Sequence, residues 1–389
     1  MASTPNAVSE QRVGAVRRIR NFWERVTEGL AVGQLWGQFK AEAQASYGLY
    51  SRDVDWEEIR KERKSWKRPF RAGWALFQAM LMKLSPARRV LLLVAIVSFV
   101  ATLNFGSGDH PVDLNFGGLG VVILFVLLAL ELGDRVTMKR DLEIAREIQQ
   151  WLVPSSPPVI PGGDIAFATR PQNTVAGDYF DAFLRTSPSG EPDAHRLIVS
   201  VADVAGKSVP AALLMATFQS SLRALSATAA SLEQVAVGLD RYARAHSLEG
   251  RRFTTAFLAQ IDPETYAMEY VNAGHNDPIL RRASGAIERL SIGGPPFGLP
   301  LFTDAETLYP SGRVQLAPSD LLFIFTDGVI EAVNESGEEY GEQRLLASLQ
   351  TAPPMPAADI LKRVMTEVNT FVGYARQHDD ITCLVLRVA

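Results

Sequence analysis

The sequence predicts an α+β domain with antiparallel strands over residues 154–389, preceded by helices that include two apolar segments. Within 154–389, short strand-like runs alternate with helical stretches, and Asp-Gly, Asn and Pro turns break them at short intervals, which favours antiparallel pairing. Nearer the N-terminus, two uncharged apolar blocks are flanked by basic residues. All six tryptophans lie at or before Trp151, so the two halves of the chain are built differently.

Composition narrows the class of protein. The chain has 389 residues, enough for about two or three domains, and is 47% hydrophobic and 21% charged with a net charge of -4. Because no basic stripe runs through its second half, we expect no nucleic-acid partner. The single cysteine, Cys383, cannot form an intramolecular disulfide and lies in a strand-like run, which predicts a buried apolar residue in a reducing compartment.

Residues 1–85 are predicted to form an N-terminal cytoplasmic region of helical and interfacial character. An amphipathic helix is indicated by Ile19, Phe22, Val26 and Leu30, which recur at three-to-four spacing. Residues 52–68 are densely charged and typical of a solvated helix. Residues 67–74 mix cations with aromatic side chains, which suits a membrane–water interface, and the alternative is an exposed loop that leads into a helix.

Residues 86–132 are predicted to form a transmembrane helical hairpin. The uncharged blocks 90–105 and 119–130 are each near the short end of the roughly 17–25 residues that a spanning helix needs. Lysine and arginine flank the pair, whereas the connecting loop has neither: Lys83, Arg88 and Arg89 precede the first block, Arg135, Lys139 and Arg140 follow the second, and Asp109, His110 and Asp113 occupy the loop. This charge pattern predicts two spans of the cytoplasmic membrane with both ends, and therefore the C-terminal domain, in the cytoplasm. A buried hairpin in a soluble protein is the alternative.

Residues 133–153 are predicted to form a linker helix. Met138, Leu142, Ala145 and Leu152 lie along one narrow apolar stripe, and the helix should end at Pro154. Such a helix could transmit a signal to the following domain, or it could be a plain spacer. Since the stripe would be better buried against a second copy, we expect a homodimer through this segment.

The C-terminal domain, residues 154–389, carries the strongest strand and helix patterns. Strands are predicted at 197–201, 255–261, 268–271, 321–325 and 381–388. Helices are predicted to begin at Pro210 and to cover 232–245 and 357–372.

Acidic residues beside glycine or other small residues recur at the edges of these apolar runs. Asp203 leaves a buried strand, where a carboxylate needs a partner. Asp379 and Asp380 are adjacent and repel each other, which a cation would relieve. Asp327 precedes Gly328 after another apolar run, where a hairpin turn is the alternative explanation.

The remaining candidates lie in the AGDYFD stretch at 176–181, whose Asp178 and Asp181 are alternatively ordinary loop acids. The only histidine and cysteine close in sequence to these motifs are His378 and Cys383, beside the Asp379-Asp380 pair, so zinc is disfavoured, and oxygen-only ligation suits Mg²⁺ or Mn²⁺. Together the acidic sites predict one metal centre for hydrolysis of a phosphate ester.

From about Arg146 to its end the chain resembles the SpoIIE-type branch of the metal-dependent PPM, or type 2C, serine/threonine protein phosphatases. The resemblance is carried by six motifs in order: AREIQQ at 145–150, AGDYFD at 176–181, DVAGKSVPAALLMA at 203–216, NAGHNDP at 272–278, FTDGVIEA at 325–332 and DDIT at 379–382. It implies an α-β-β-α sandwich, two antiparallel sheets flanked by helices. Residues 1–140 are not covered.

The resemblance also implies a set of ligands for two Mn²⁺ or Mg²⁺ ions. Asp178 and Asp203 would be ligands, with Asp203 bridging the ions, and the carbonyl of Val204 would bind one of them. The set would be completed by Asp327 and Asp379, with Asp380 as a second-rank alternative to Asp379.

Departures from the family pattern concern glycines and the general acid. Ala176-Gly177 stands where two glycines are frequent, and Ser208 stands where glycine often follows the lysine. Histidine near the second aspartate, a general acid in eukaryotic members, is absent, so leaving-group protonation is unassigned. Lys207 and His275 are second-rank candidates, although a structural role is favoured for His275.

The function implied is that of a membrane-anchored phosphatase that hydrolyses phosphoserine or phosphothreonine on a regulatory protein, such as an anti-sigma-factor antagonist. The attacking water would be activated by the two ions. The alternative is a non-catalytic membrane-tethered adaptor that binds a phosphoprotein. All four metal aspartates are present, which favours the enzyme, and Mn²⁺-dependent hydrolysis of p-nitrophenyl phosphate discriminates between the two.

Overall fold

A computed structural model describes residues 53–60, 67–100, 102–105, 112–186, 192–246, 252–300 and 308–389, with isolated positions between 36 and 51. The chain divides into two compact units, residues 1–135 and 136–389. The amphipathic helix predicted around Ile19 to Leu30 and the acidic loop predicted around Asp109 lie outside the described residues.

The N-terminal unit is built from helices and one small hairpin. The described elements are α1 (Trp56–Arg60), α2 (Arg68–Lys83), α3 (Pro86–Val100), β1 (Thr102–Phe105), β2 (Val112–Asn115) and the beginning of α4 (Gly117–Leu152). Helix α2 has proline in its first turn, where the missing N–H costs no hydrogen bond. The predicted interfacial segment 67–74 therefore forms the first turns of a helix.

The segment predicted as a transmembrane hairpin, residues 86–132, differs from the expectation. Helix α3 has 15 residues, fewer than the roughly 20 that a bilayer requires, and residues 102–105, predicted to continue it, form strand β1. None of the described helices combines the length and the apolar character needed to cross a membrane.

The second apolar block and the predicted linker helix are parts of one element. Helix α4 runs without interruption for 36 residues and ends at Leu152, two residues before Pro154. The prediction of a helix up to this point is confirmed, but its start is not at the change in polarity, because both compositions favour helix and only Gly133, which costs about 1 kcal/mol in a helix interior, lies between them.

Strands of the C-terminal unit form two sheets. The first is six-stranded, in the order β10-β7-β6-β5-β4, with β11 also paired to β7. Its strands are β4 (Tyr179–Thr186), β5 (Pro192–Val204), β6 (Thr254–Ile261), β7 (Ala267–Ala273), β10 (Gly293–Gly294) and β11 (Gly312–Gln315). Pairing is antiparallel except between β10 and β7.

The second sheet is five-stranded and antiparallel, in the order β3-β13-β12-β8-β9. Its strands are β3 (Gly163–Arg170), β8 (Ile279–Arg281), β9 (Ile287–Arg289), β12 (Leu321–Phe325) and β13 (Ile381–Val388).

Three apolar cores show how the layers pack. The first lies between the sheets and contains side chains of both, for example Val199 and Leu384. Helices α5 (Val209–Thr228) and α6 (Leu232–Ala245) form a second core with the six-stranded sheet. Helices α7 (Gly341–Thr351) and α8 (Ala357–Val372) form a third with the five-stranded sheet. The predicted architecture of two sheets flanked by helices is confirmed.

Individual elements follow the sequence pattern where that pattern is long. All five predicted strands and the helices at 232–245 and 357–372 are present. The pattern missed helix α7 and the strands β3, β4 and β8 to β11, because several of these are only two to four residues long or half-buried. Cys383 is fully buried in β13, and burial raises the pKa of its thiol.

Candidate active site

Two of the predicted aspartates lie at the strand ends on one side of the six-stranded sheet. Asp203 is near the end of β5, and its backbone is paired with Thr255 of β6. Asp178 immediately precedes β4, whose Tyr179 pairs with Ala202 of β5. Antiparallel register therefore brings the end of β5 beside the start of β4, and the two carboxylates with it.

The other aspartates lie at the strand ends of the five-stranded sheet, next to β12 and β13. Strand β12 ends where β13 begins, with Phe325 paired to Cys383. Asp327 follows β12 and starts a short 3₁₀ helix, Asp327–Val329, so it is not part of the two-residue hairpin turn that Asp-Gly alone would suggest. A Cβ on Gly328 would lie 1.9 Å from the carbonyl oxygen of Asp380, which explains the glycine.

Threonine side chains connect the strand ends of the two sheets. The Thr326 hydroxyl donates to Asp178 Oδ2 at 2.9 Å and accepts the backbone N–H of Thr382 at 3.0 Å. Thr169 and Thr382 share a further hydroxyl contact of 2.9 Å. Because Thr326 directly precedes Asp327, its bond to Asp178 fixes carboxylates of both sheets relative to each other.

Burial and the charges of neighbouring carboxylates raise the pKa values in this cluster. Burial, followed by the charge of Asp203, raises the pKa of Asp178 well above its usual range. Burial, followed by the charges of Asp327 and Asp379, raises the pKa of Asp203 to about 7. The pKa of Asp327 is raised by burial and by Asp379. The site concentrates negative charge that a bound cation would stabilise.

The adjacent residues Asp379 and Asp380 differ in exposure and in the groups that they contact. Asp380 is 9% exposed, and its two carboxylate oxygens accept the backbone N–H groups of Gln172 at 2.6 Å and Gly177 at 2.7 Å. Asp379 is more exposed and forms an ion pair with Lys207, 2.9 Å from Nζ to Oδ2. Asp380 therefore holds the loop before Asp178, and Asp379 faces a cavity.

That cavity, of about 180 Å³, is lined by both charged and apolar side chains. Lys207, Arg170 and His378 line it together with Asp379 and Glu331. Lys207 also donates to the carbonyl of His378. Of the four predicted metal aspartates, Asp379 lines this cavity.

Asp181, the second aspartate of AGDYFD, lies away from the cluster. It is fully buried and accepts two hydrogen bonds from Arg223 of α5, both at 2.9 Å, and one from the Tyr179 hydroxyl at 2.6 Å. The Arg223 guanidinium also lies 4.1 Å from the centre of the Phe183 ring. Asp181 is thus a structural partner of α5, and the loop-acid alternative does not describe it.

His275 is buried behind the acidic cluster. Its Nδ1 is 3.0 Å from the Thr255 hydroxyl, and its backbone N–H donates to the Asn272 side chain at 2.8 Å. Burial lowers the pKa of the imidazole to about 4, so at neutral pH the ring holds no acidic proton to donate to a leaving group.

Ser208, which stands where glycine often follows the lysine in the family, has an unusual backbone conformation. Ser208 stands directly before α5 with φ of 66°, in the region that favours glycine. The backbone therefore adopts a left-handed conformation after Lys207, although serine and not glycine occupies this position.

The donors of the cluster suit a hard divalent cation, although they do not form a finished cage. Carboxylate oxygens from four segments match the preference of Mg²⁺ and Mn²⁺, and the pKa values of Asp178, Asp203 and Asp327 are raised by burial first and by neighbouring carboxylates second. In the described part of the chain no three acidic, histidine or cysteine side chains converge into a complete ligand set. Thr326, Lys207 and backbone N–H groups instead engage the individual carboxylates.

Sequence reasoning missed the residues that support the site. Thr326 was visible only as part of a motif, and nothing in the pattern assigned it a role. Gln149 belongs to the AREIQQ motif, and its side chain bonds to the backbone of Ala176, 27 residues away. Only the position of glutamine one turn before the helix end could have hinted at this contact.

Comparison with protein families gives one match. A sequence model of the family described as Stage II sporulation protein E (SpoIIE) matches residues 193–389. This range includes Asp203, Asp327 and Asp379 and begins after Asp178.

Individual relatives have low identity. Protein IcfG of Synechocystis sp. is 26% identical over 320 residues, covering 72% of this chain and 48% of that protein. Phosphoserine phosphatase RsbU of Bacillus subtilis is 26% identical over 258 residues, covering 66% of this chain and 72% of RsbU. The chain thus spans about half the length of IcfG.

Among solved structures, the SiaA-PP2C domain of Pseudomonas aeruginosa is similar, with a TM-score of 0.56 and 20% identity over 66% of this chain and 99% of that domain. This likeness concerns the fold. It supports the arrangement of two sheets between helices.

Proposed function

Because the chain belongs to the SpoIIE family of PPM-type phosphatases, we propose that it is a metal-dependent protein phosphatase that hydrolyses phosphoserine or phosphothreonine. One observation carries the proposal: Asp178, Asp203, Asp327 and Asp379, from four separate segments, lie at the same end of the sandwich, and burial and neighbouring carboxylates raise the pKa values of the first three. A fold without such a site would have no reason to gather four carboxylates at the ends of its strands.

The residues that would hold the ions are the same four aspartates and the carbonyl of Val204. When bound, divalent ions lower the pKa of a coordinated water and neutralise phosphoryl oxygens, which is the chemistry of metal-assisted phosphate hydrolysis. The pKa of Asp203 is raised by burial and by the charges of Asp327 and Asp379 from the other sheet, which supports its place in the same site. Mn²⁺ and Mg²⁺ both fit this oxygen donor set.

Residues around the cavity would position the substrate. Lys207 and Arg170 place positive charge beside Asp379, where the phosphate of a phosphoserine could approach. Thr326 and Asp380 would keep Asp178 in place, through the hydroxyl bond to its carboxylate and through the backbone of Gly177. The preorganised arrangement limits the side-chain motion required for binding.

The test is hydrolysis of p-nitrophenyl phosphate and of a phosphoserine peptide as a function of Mn²⁺ concentration. Asp327→Asn should abolish turnover without unfolding the domain, and Asp359→Asn, on the exposed face of α8, is the matched control. Unchanged turnover in Asp327→Asn would contradict the assignment. Binding of a phosphopeptide without any hydrolysis by the wild-type protein would favour the adaptor alternative.

The substrate is proposed by analogy. RsbU is named a phosphoserine phosphatase, and we extend that chemistry to a phosphorylated regulatory protein, such as an anti-sigma-factor antagonist. Phosphoproteomics of cells with and without the intact protein would identify it. The expected result is a regulatory protein whose serine or threonine phosphorylation rises when the phosphatase is lost.

Attachment to the cytoplasmic membrane through residues 86–132, with the catalytic domain in the cytoplasm, is a separate proposal. It is supported by the basic flanks of this segment and by exposed apolar side chains on its helices, such as Val97 and Phe125. Recovery of the full chain in the soluble fraction without detergent would contradict it.

A homodimer through residues 133–153 is likewise proposed. Helix α4 exposes Val136, Met138, Ile148 and Trp151 in this stretch, which is more apolar surface than an isolated helix favours. A chain that begins at residue 154 should be monomeric if the proposal is correct. Equal oligomeric states with and without the helix would contradict it.

A further inference from the structure

The last turn of helix α4 contacts the loop that carries Asp178. The Gln149 side chain donates from Nε2 to the carbonyl oxygen of Ala176 at 2.7 Å, and its Oε1 accepts the Ala176 N–H at 3.0 Å. One side-chain amide therefore satisfies both backbone groups of a buried residue, as a neighbouring strand would. Ala176 lies two positions before Asp178.

The loop has little freedom between Ala176 and Asp178. Gly177 donates its N–H to Asp380. A Cβ on Gly177 would lie 3.2 Å from the Cβ of Ala211 and 3.3 Å from the carbonyl oxygen of Val204. The backbone at Gly177 is therefore packed closely against the start of α5 and the carbonyl proposed to bind a metal ion. A shift of Ala176 is transmitted to these neighbours and to Asp178.

We propose that Gln149 is a positioning residue that ties the placement of Asp178 to the last turn of helix α4. The inference rests on the proposed phosphatase function and adds a control point to its site. A helix rises about 1.5 Å per residue, so an axial shift of one residue is about half the length of either bond and would misalign both. The paired amide bonds thus form in one placement of this turn and are lost in another.

Space for a second arrangement exists beside the contact. A cavity of about 130 Å³ lies between this turn and the sheet, and Gln149, Thr174, Asp178 and Met215 are among its lining residues. Its volume equals several water molecules at about 30 Å³ each. The cavity therefore provides open space beside the Asp178 loop for a second arrangement of this loop.

The experiment compares Gln149→Leu with Gln150→Leu in the full chain. Gln150 is the exposed neighbour, has the same side chain and is a matched control for the loss of an amide from this turn. Gln149→Glu is an informative third variant, because it keeps an acceptor for the Ala176 N–H but places a carboxylate oxygen against the Ala176 carbonyl.

Three readouts distinguish positioning from a general structural effect. The first is hydrogen exchange of the segment that contains Ala176, the second is Mn²⁺ binding by calorimetry, and the third is the Mn²⁺ concentration that gives half-maximal turnover of p-nitrophenyl phosphate. Loss of two ordinary hydrogen bonds should weaken Mn²⁺ binding by about tenfold in Gln149→Leu, with faster exchange at Ala176. Turnover at saturating Mn²⁺ should stay close to wild type.

Two outcomes would overturn the inference. One is exchange at Ala176 and Mn²⁺ binding in Gln149→Leu that equal those of Gln150→Leu. The other is a loss of turnover at saturating Mn²⁺ with unchanged Mn²⁺ affinity. Failure of the phosphatase proposal is recognised separately, because a wild-type protein without turnover would still show the exchange and binding differences if Gln149 positions the loop.

Discussion

Asp203 and Asp178 are neighbours at the strand ends of one sheet, yet different interactions fix their positions. Asp203 belongs to a central strand, and its position is set by backbone pairing with β6 and β4. Asp178 follows a loop whose backbone is bonded by the side chains of Asp380 and Gln149. One carboxylate is therefore positioned by sheet register, and the other by side chains that are distant in sequence.

This difference indicates where the site can be altered without loss of the fold. Sheet register is cooperative, since a shift of Asp203 would require a shift of the whole strand. The Asp178 loop depends on a few hydrogen bonds, each worth about 1 kcal/mol or somewhat more for a charged partner. We expect substitutions around Asp178 to change metal binding and local stability while the sheets remain intact.

The largest effect is expected for Asp380→Ala. The substitution leaves the N–H groups of Gln172 and Gly177 without their acceptor. It also removes a negative charge that raises the pKa of Asp178, which offsets part of the loss. We expect the free energy of unfolding to fall by about 3 kcal/mol, measured by urea denaturation of the metal-free protein.

The neighbouring Asp379→Ala is the control for Asp380→Ala. Asp379 forms a part-exposed ion pair with Lys207, and such pairs contribute less than about 1 kcal/mol. The two variants should therefore separate, with Asp380 required mainly for stability and Asp379 for turnover. Equal stabilities of the two variants would show that Asp380 does not hold the loop.

A smaller effect is expected for Arg223→Leu. Asp181 would remain fully buried with only the Tyr179 hydroxyl as a side-chain partner, so the free energy of unfolding should fall by about 2 kcal/mol. Adding Asp181→Asn should restore part of this loss, because an amide is less costly to bury than an unpaired carboxylate. Strictly additive losses in the double-mutant cycle would mean that the pair is not coupled.

The sequence allowed prediction of those parts of the molecule that depend on a local pattern of residues. The strand that ends at Asp203 and the helix at 232–245 could be predicted because apolar periodicity and turn residues lie within the segment itself. The sandwich and the assignment of individual metal ligands came from resemblance to a family, whereas the acidic residues themselves already predicted one metal centre. Local pattern also suggested a hairpin turn at Asp327-Gly328, whereas the glycine is explained by the approach of the Asp380 carbonyl.

The unpredicted parts depend on contacts between residues far apart in the chain. Asp380 and Gly177 are separated by 203 positions, and no local feature of either indicates the bond. The same holds for Asp181 and Arg223, whose separation of 42 residues conceals a buried ion pair. Adjacent residues such as Asp379 and Asp380 appear equivalent in sequence, and only the direction of each side chain distinguishes them.

The smallest effect concerns His275, which lies behind the strand-defined half of the site through its contact with Thr255. Burial lowers the pKa of His275 from 6.5 to about 4, so between these pH values the unfolded chain binds a proton that the folded protein does not. Stability from this residue is therefore complete above pH 6.5 and is lost as pH falls toward 4, with a slope of at most about 1.4 kcal/mol per pH unit.

Replacement by glutamine removes the titrating group and keeps a polar partner for Thr255. The difference in unfolding free energy between the wild type and His275→Gln, measured without metal at several pH values, isolates this contribution from the carboxylates that titrate in the same range. The same substitution at exposed His195 controls for removal of an imidazole in general. A wild-type curve parallel to that of His275→Gln from pH 6.5 down to pH 4 would show that the ring is accessible to protons in the folded state, and the support behind Asp203 would then be looser than the buried contact with Thr255 implies.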